Sequence, residues 1–372
     1  SKKKVATIQS KLDRWLAKDT ARATETRDLI SRWHNAREQT RQRVRTNSRT
    51  AMAMREGDPQ NDFVLIRGDA SKPGEQVPRR FLSAIVGDGS PVERDRSGRM
   101  QLAGHINDPN NPLTSRVAVN RMWHHLMGRG IVATTDDFGV LGELPTHPEL
   151  LDHLATQFQS GGRSVKRTLR RIMLSSTYRM GGRTIPKAVE ADPKNLLWHH
   201  RPPKRLSGES IRDSLLKISG RLDHELGGPS VPIHLTHFMD GRGKPKQSGP
   251  LDGDGRRSVF IAVRRNFISP MMLAFDTPVP DSSMGRRNVS NVPSQMLSLM
   301  NDPFVVKQAS DWASKVESAN DVDRIQQMVW AAFGRPASDR ELKAGMRFFE
   351  AGGDSSDFAH ALILAKEFIF VR

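Results

Sequence analysis

Apolar residues recur at helical spacing through most of the chain, and strict alternation is rare. Val119, Met122, Trp123 and Leu126 fall at i, i+3, i+4 and i+7, one face of a helix. Asp108 and Asn111 offer caps at its start, Pro112 suits a first helical position, and Gly128 and Gly130 offer a stop. Leu150, Leu151, Leu154 and Phe158 predict a second helix behind a Thr146/Glu149 capping box. Val165, Leu169, Ile172 and Met173 predict a third, and Ile211, Leu215, Ile218 and Leu222 a fourth. Near the end, Ile325, Met328, Val329, Ala332 and Phe333 are followed by a Ser338/Glu341 capping box with Leu342, Met346 and Phe349. Phe358, Leu362, Ala365 and Ile369 complete a small helical bundle. Residues Val5 to Val44 read as helical throughout. Only Phe63 to Arg67 and the run SVFIAV at 258–263 have strand composition.

These patterns predict a mainly α chain: a multi-helix globular domain with a few short β-strands and long irregular loops. Four parts are expected. Residues 1–60 form a basic helical arm, the end of a preceding domain, and 61–112 an extended linker with a short strand. Residues 113–306 form a central helical domain with an irregular segment rich in Arg and Asp, and 307–372 the terminal bundle.

Polar residues interrupt this pattern where burial is expected. In the helix after Asn111, Leu113 and Val117 begin a face that continues through Arg121 and His125, and Arg116, Asn120 and His124 form a stripe beside it. Buried Arg and His require partners, since unpaired charge in a poor solvent costs several kcal/mol, on the order of 3–5 when one partner is removed. Asp136 and Asp137 are the nearest acids. A structural ion-pair network and a ligand site both fit. Glu209 and Asp213 share a helix face near Arg205 and Arg212, where paired carboxylates suit either acid–base work or ordinary surface charge. Asp276, Asp281, Arg286 and Arg287 lie in a stretch kept irregular by Pro and Gly, the backbone on which binding residues are often displayed.

Composition narrows the partners. Lys and Arg number 58 against 41 Asp and Glu in 372 residues, a net charge of +17, which favours acidic partners. Aromatic residues make up only 6%, too few between the basic ones for base stacking, so nucleic acid ranks last. With no Cys, disulfides, thiolate metal sites and covalent haem attachment are excluded from this chain. No metal-ligand spacing such as HExxH, no Walker spacing and no Rossmann spacing occurs. No apolar run spans a membrane and no signal peptide is present. A sequence that opens inside a basic helix without Met reads as part of a longer protein.

Several ordered blocks are familiar: NPLTSRVAVNRMWHHLMGRGIV, DDFG, THPELLDHLA, LSSTYR, RLSGESIRDSLLKISGRLD, RRSVFIAVRRN, AFDTPVPD, PSQMLSLMNDPF and GRPASDREL. Together they resemble a planctomycete C-terminal domain of unknown function, over roughly residues 61–372. The resemblance implies a parent protein exported to the periplasm or cell surface. There the domain follows a planctomycete-specific domain and a cytochrome-c-type domain, which are its expected partners. Any haem would then belong upstream, and no cofactor is expected in this chain. The family's motif positions fall here on Asn120, Arg121, Trp123, His125, Asp137, Phe138, Gly139, His147, Tyr178, Arg205, Glu209, Arg212, Asp213, Arg264, Asp276, Arg287, Gln295 and Asn301. His124 stands where Gln is usual, and Met284 where many members carry Cys, which removes any thiol role there.

From residues and resemblance together, the expected ligand-binding set is Asn120, Arg121, His125, Asp137, Arg205, Arg212, Arg264, Arg287 and Gln295. His125, Asp137, Glu209 and Asp276 are the candidate catalytic residues. The expected function is binding of an acidic ligand, a glycan or a partner domain through this Arg/Asp/His cluster. A polysaccharide-processing enzyme is the alternative, and a basic nucleic-acid-binding protein the second. The whole expectation requires that these side chains converge.

Overall fold

The structure, a computed structural model, describes residues 28–40, 59–87, 92, 97–281 and 284–371. The chain divides into two units: Ser1–Arg55 with Leu226–Ser230, and Glu56–Glu225 with Val231–Arg372. In the first, residues 28–40 are helical, Trp33 is largely exposed, and the Arg37 guanidinium stands 5.1 Å from the Trp33 ring centre. The rest of the helix expected over Val5–Val44 lies outside the described residues.

The second unit is mainly α, and its helices begin where the caps predict. Asn111 accepts a hydrogen bond from the Leu113 amide and Pro112 opens α1 (Pro112–Met127), which Gly128 ends in the left-handed conformation. The Thr146/Glu149 capping box does not form. The Thr146 amide and hydroxyl both donate to the Ile131 carbonyl, so α2 (Pro148–Ser160) starts from His147 without a side-chain cap. With α3 (Val165–Met173), these helices bury Val119, Trp123, Leu151, Leu154, Phe158 and Ile172. Each such side chain contributes about 1.5–3 kcal/mol on burial. Trp198 closes this core edge-on to Trp123, with ring centres 6.0 Å apart.

A second core forms around α4 (Gly208–Ile218), capped by Ser207. Its Ile211, Leu215 and Leu216 pack with Met271 and Phe275 at α5 (Pro270–Ala274) and with Leu299 of α6 (Pro293–Asn301). Phe304, Val305 and Trp312 of α7 (Pro303–Ala313) and Met328 of α8 (Asp321–Phe333) join them. The Ser338/Glu341 capping box does form, opening α9 (Asp339–Glu350), and α10 (Ser355–Leu364) adds Ala359 and Ile363 to the core.

Sheet structure is slight. The run at Phe63 is a strand, β1 (Asp62–Leu65), paired antiparallel with β2 (Pro73–Val77). Two-residue β3 (Lys204–Arg205) pairs with β4 (Phe370–Val371), Arg205 opposite Phe370. The run SVFIAV is not a strand. The Asp213 carboxylate accepts both the amide and the hydroxyl of Ser258, at 2.7 Å each, and draws Ser258–Phe260 into a 3-10 turn against α4. Only an isolated bridge, Val231 to Ile261, remains of the sheet. No helix among the described residues is long and apolar enough to cross a membrane.

Candidate functional site

Residues of the second core and polar residues of α1 line one cavity of about 1000 Å³. Helix α1 contributes Arg121 and His125, one turn apart on the face that carried polar residues into an apolar pattern. Helix α4 supplies Glu209 and Arg212. Arg264 enters from the stretch after the 3-10 turn, and Gly285, Arg286 and Arg287 from the irregular segment between α5 and α6. The lining also holds apolar residues, among them Pro270, Met271, Met272, Pro278, Val279 and Pro280.

The segment carrying Arg286 and Arg287 is fixed at several points. Arg287 donates to Glu209 Oε2 at 2.7 Å, Arg286 donates to the Ala133 carbonyl at 3.2 Å, and the Thr135 hydroxyl donates to the Gly285 carbonyl at 3.0 Å. Gly285 must be glycine, because a Cβ there would lie 2.1 Å from the Cβ of Asp136. At the segment's far end, Ser290 donates from its amide and hydroxyl to the Asp276 carboxylate. Asp276 in turn holds Arg205 at 2.5 Å, and the Arg205 side chain is only 3% exposed.

Charge is unevenly matched in the cavity. Arg121, Arg264 and Arg286 have no carboxylate partner among the described residues. Partial desolvation lowers the His125 pKa, and the cations of Lys204, Arg287 and Arg121 lower it further, so the ring resists protonation. His124 behind it is lowered too, by burial first and then by His125, Lys204 and Arg286. For Glu209, burial favours the neutral acid, but the hydrogen bonds and charge led by Arg287 outweigh it and the net shift is downward. Asp302, also in the lining, is shifted up by burial despite accepting from the Phe304 amide and facing His234.

Of the residues expected from sequence, Arg121, His125, Glu209, Arg212, Arg264 and Arg287 come together at this cavity, while Asp137, Asp276, Asn120, Arg205 and Gln295 do not line it. Asp137 accepts from the Gly139 amide at 2.8 Å, and its neighbour Asp136 takes the place in the lining. Neither acid ion-pairs with α1; among the described residues, Arg116 uses Asp152 instead, at 2.6 Å. Asn120 is fully buried and bridges Val132 through both its amide groups, at 2.9 Å each. Gln295 is buried and donates to Ser290. Asp276 and Arg205 form the buried anchor beneath the lining. Arg212 lines the cavity, yet its donors go to the carbonyls of Arg256 and Asp252 and to the Ser258 hydroxyl. Gly253, with φ +62°, leaves room for it, since a Cβ would sit 2.6 Å from Nη2. Arg212 therefore organises a turn and keeps little donor capacity for a ligand.

His234 and Asp302 were missed as site residues, while Arg286 was read only as part of the irregular Arg/Asp stretch. Asp302 reads in sequence as a helix cap before Pro303, and it does cap α7. His234 stands alone between apolar residues, with no spacing to mark it.

A family model described as PSD1, Protein of unknown function (DUF1553), matches residues 98–349. The chain belongs to this family. The PSD1 match takes in every cavity-lining residue named above, so the cavity is a feature of the PSD1 domain itself. No curated protein and no solved structure matches the PSD1 chain.

Proposed function

We propose that this PSD1 domain binds an anionic ligand in the Arg-lined cavity, and that the ligand is an acidic polysaccharide. The observation that carries this reading is the set of three arginines, Arg121, Arg264 and Arg286, facing one cavity without carboxylate partners among the described residues. Cations gathered in a concave site focus positive potential, and an anion relieves their mutual repulsion. Burial is the first cause of the lowered His125 pKa, and the cations of Lys204, Arg287 and Arg121 add to it. In this reading the domain is the C-terminal module of an exported, cytochrome-linked planctomycete protein at the periplasm or cell surface, and it presents glycan to the domains before it.

Titration calorimetry with uronate and sulfated oligosaccharides tests the idea against neutral oligosaccharides of equal length. Acidic ligands should bind and neutral ones should not. Arg121→Ala with Arg264→Ala should weaken binding at least tenfold, as loss of charge-assisted hydrogen bonds worth about 1.5–3 kcal/mol requires. Equal binding of neutral sugars, or indifference to both substitutions, would sink it.

A polysaccharide-processing enzyme is supported by one feature. The same cavity offers a neutral imidazole, His125, and an ionised carboxylate, Glu209. New reducing ends released from a bound glycan, and lost in His125→Gln, would establish it. Their absence with intact binding leaves a binding module.

A further inference from the structure

The lining explains how an anionic group is held, but it offers a sugar ring little to rest on. Among the described lining residues the aromatics are Phe267 and Phe304, only 3% and 5% exposed. Pyranose rings turn a face of weakly positive C–H bonds toward the negative face of an aromatic ring, so they favour exposed rings. Such rings stand just outside.

The chain leaves the cavity wall after His234 and Thr236, both lining residues, and returns to it at Pro250. The loop between is closed at its base. The Leu235 amide donates to the Ser248 hydroxyl at 2.9 Å, and the Gly249 amide to the Ile233 carbonyl at 2.8 Å. Compact loops pinned in this way are often functional. At its start, a turn closed by the Met239 amide on the Thr236 carbonyl displays His237 and Phe238 side by side, ring centres 3.7 Å apart. Phe238 is 82% exposed. Arg242, Lys244 and Lys246 follow, all exposed, and among the described residues Lys244 makes only a 3.4 Å ion pair, with the exposed Asp240.

We propose that residues 236–248 form a second subsite continuous with the cavity, built for the further units of an acidic polysaccharide chain. The His237–Phe238 pair receives a sugar ring, and Arg242, Lys244 and Lys246 meet the anionic groups that follow. This rests on the reading that the cavity holds an anionic group, and it adds that the ligand is a polymer. A single ring platform fits glycan better than single-stranded nucleic acid, which stacks successive bases on several aromatic side chains.

The test compares a disaccharide and a hexasaccharide of chondroitin sulfate, and the same pair from polygalacturonate, on the full chain. In at least one series the hexasaccharide should bind about tenfold tighter or more. Phe238→Ala and the pair Lys244→Ala with Lys246→Ala should each erase that gain and leave disaccharide affinity unchanged. Hexasaccharide and disaccharide binding equally, or a gain that survives these surface substitutions, overturns the second subsite while the cavity reading stands. Failure of all four ligands, or disaccharide binding indifferent to Arg121→Ala, removes the cavity reading and the subsite with it. A single-stranded oligonucleotide that binds better than the hexasaccharide and loses affinity in Phe238→Ala assigns the loop to nucleic acid instead.

Discussion

Replacing Asp276 with Asn removes the only carboxylate that faces Arg205 among the described residues. The guanidinium is almost wholly buried, and its Nε and Nη1 already lack protein partners. Asn keeps the shape, tolerates the backbone at φ +59°, and retains an acceptor for Ser290. What is lost is the charge, and removing one partner of a buried pair costs about 3–5 kcal/mol. At roughly 2 °C per kcal/mol for a unit of this size, thermal unfolding should come about 6–10 °C earlier. Urea unfolding at neutral pH gives the free energy directly. Arg205→Met added to Asp276→Asn should restore most of the loss, because the orphaned charge is then gone. Anion binding should fall in Asp276→Asn as well, since Asn leaves one acceptor oxygen for the two Ser290 donors and holds the segment bearing Arg286 and Arg287 less firmly at its far end. Stability within about 1 kcal/mol of the parent in Asp276→Asn, or a double variant no better than the single one, would refute the anchoring argument.

Gly285→Ala should weaken anion binding in calorimetry by about tenfold or more, because its Cβ would collide with Asp136 and push Arg286 and Arg287 outward; a loss of one charge-assisted contact is enough for that factor. Since the cavity lowers the His125 pKa, the ring gains its proton only below the ordinary imidazole range; affinity for sulfated oligosaccharide should rise as pH falls through that lowered pKa, and His125→Ala should flatten this acid rise. Glu341 is lowered from 4.5 to about 2, led by its Arg335 hydrogen bonds, so its contribution to stability is complete above 4.5 and lost as pH falls toward 2. Glu341→Gln should therefore destabilise the chain in denaturant melts at neutral pH and lose that effect near the acid end of this window.

The helices were legible because their signals are local. Asn111, Pro112 and Gly128 do what their residue types dictate, and the apolar stripe of Val119 and Trp123 is buried as its spacing requires. Thr146 misled because the Ile131 carbonyl competes for its amide and hydroxyl, and no pattern of neighbours announces a partner fifteen residues back. The run at Ser258 misled for the same reason: a carboxylate forty-five residues earlier outbids a sheet partner. At the site, sequence gathered the charged types but not their tasks. Arg121 and Arg212 look alike in the chain, yet one faces the cavity without a carboxylate partner among the described residues and the other is engaged by backbone carbonyls and the Ser258 hydroxyl. Which of Asp136 and Asp137 meets the cavity turns on a loop conformation that composition does not encode.

The pairing of β3 with β4 has a consequence for biosynthesis. A ribosome that has passed Arg287 has already delivered the cavity's arginines, but Arg205 gains its strand partner only when Phe370 and Val371 emerge. The strand pairing beside the buried anchor thus forms only after the cavity's own residues have been made, and a nascent chain stalled before Phe370 would hold its ligand site unbraced.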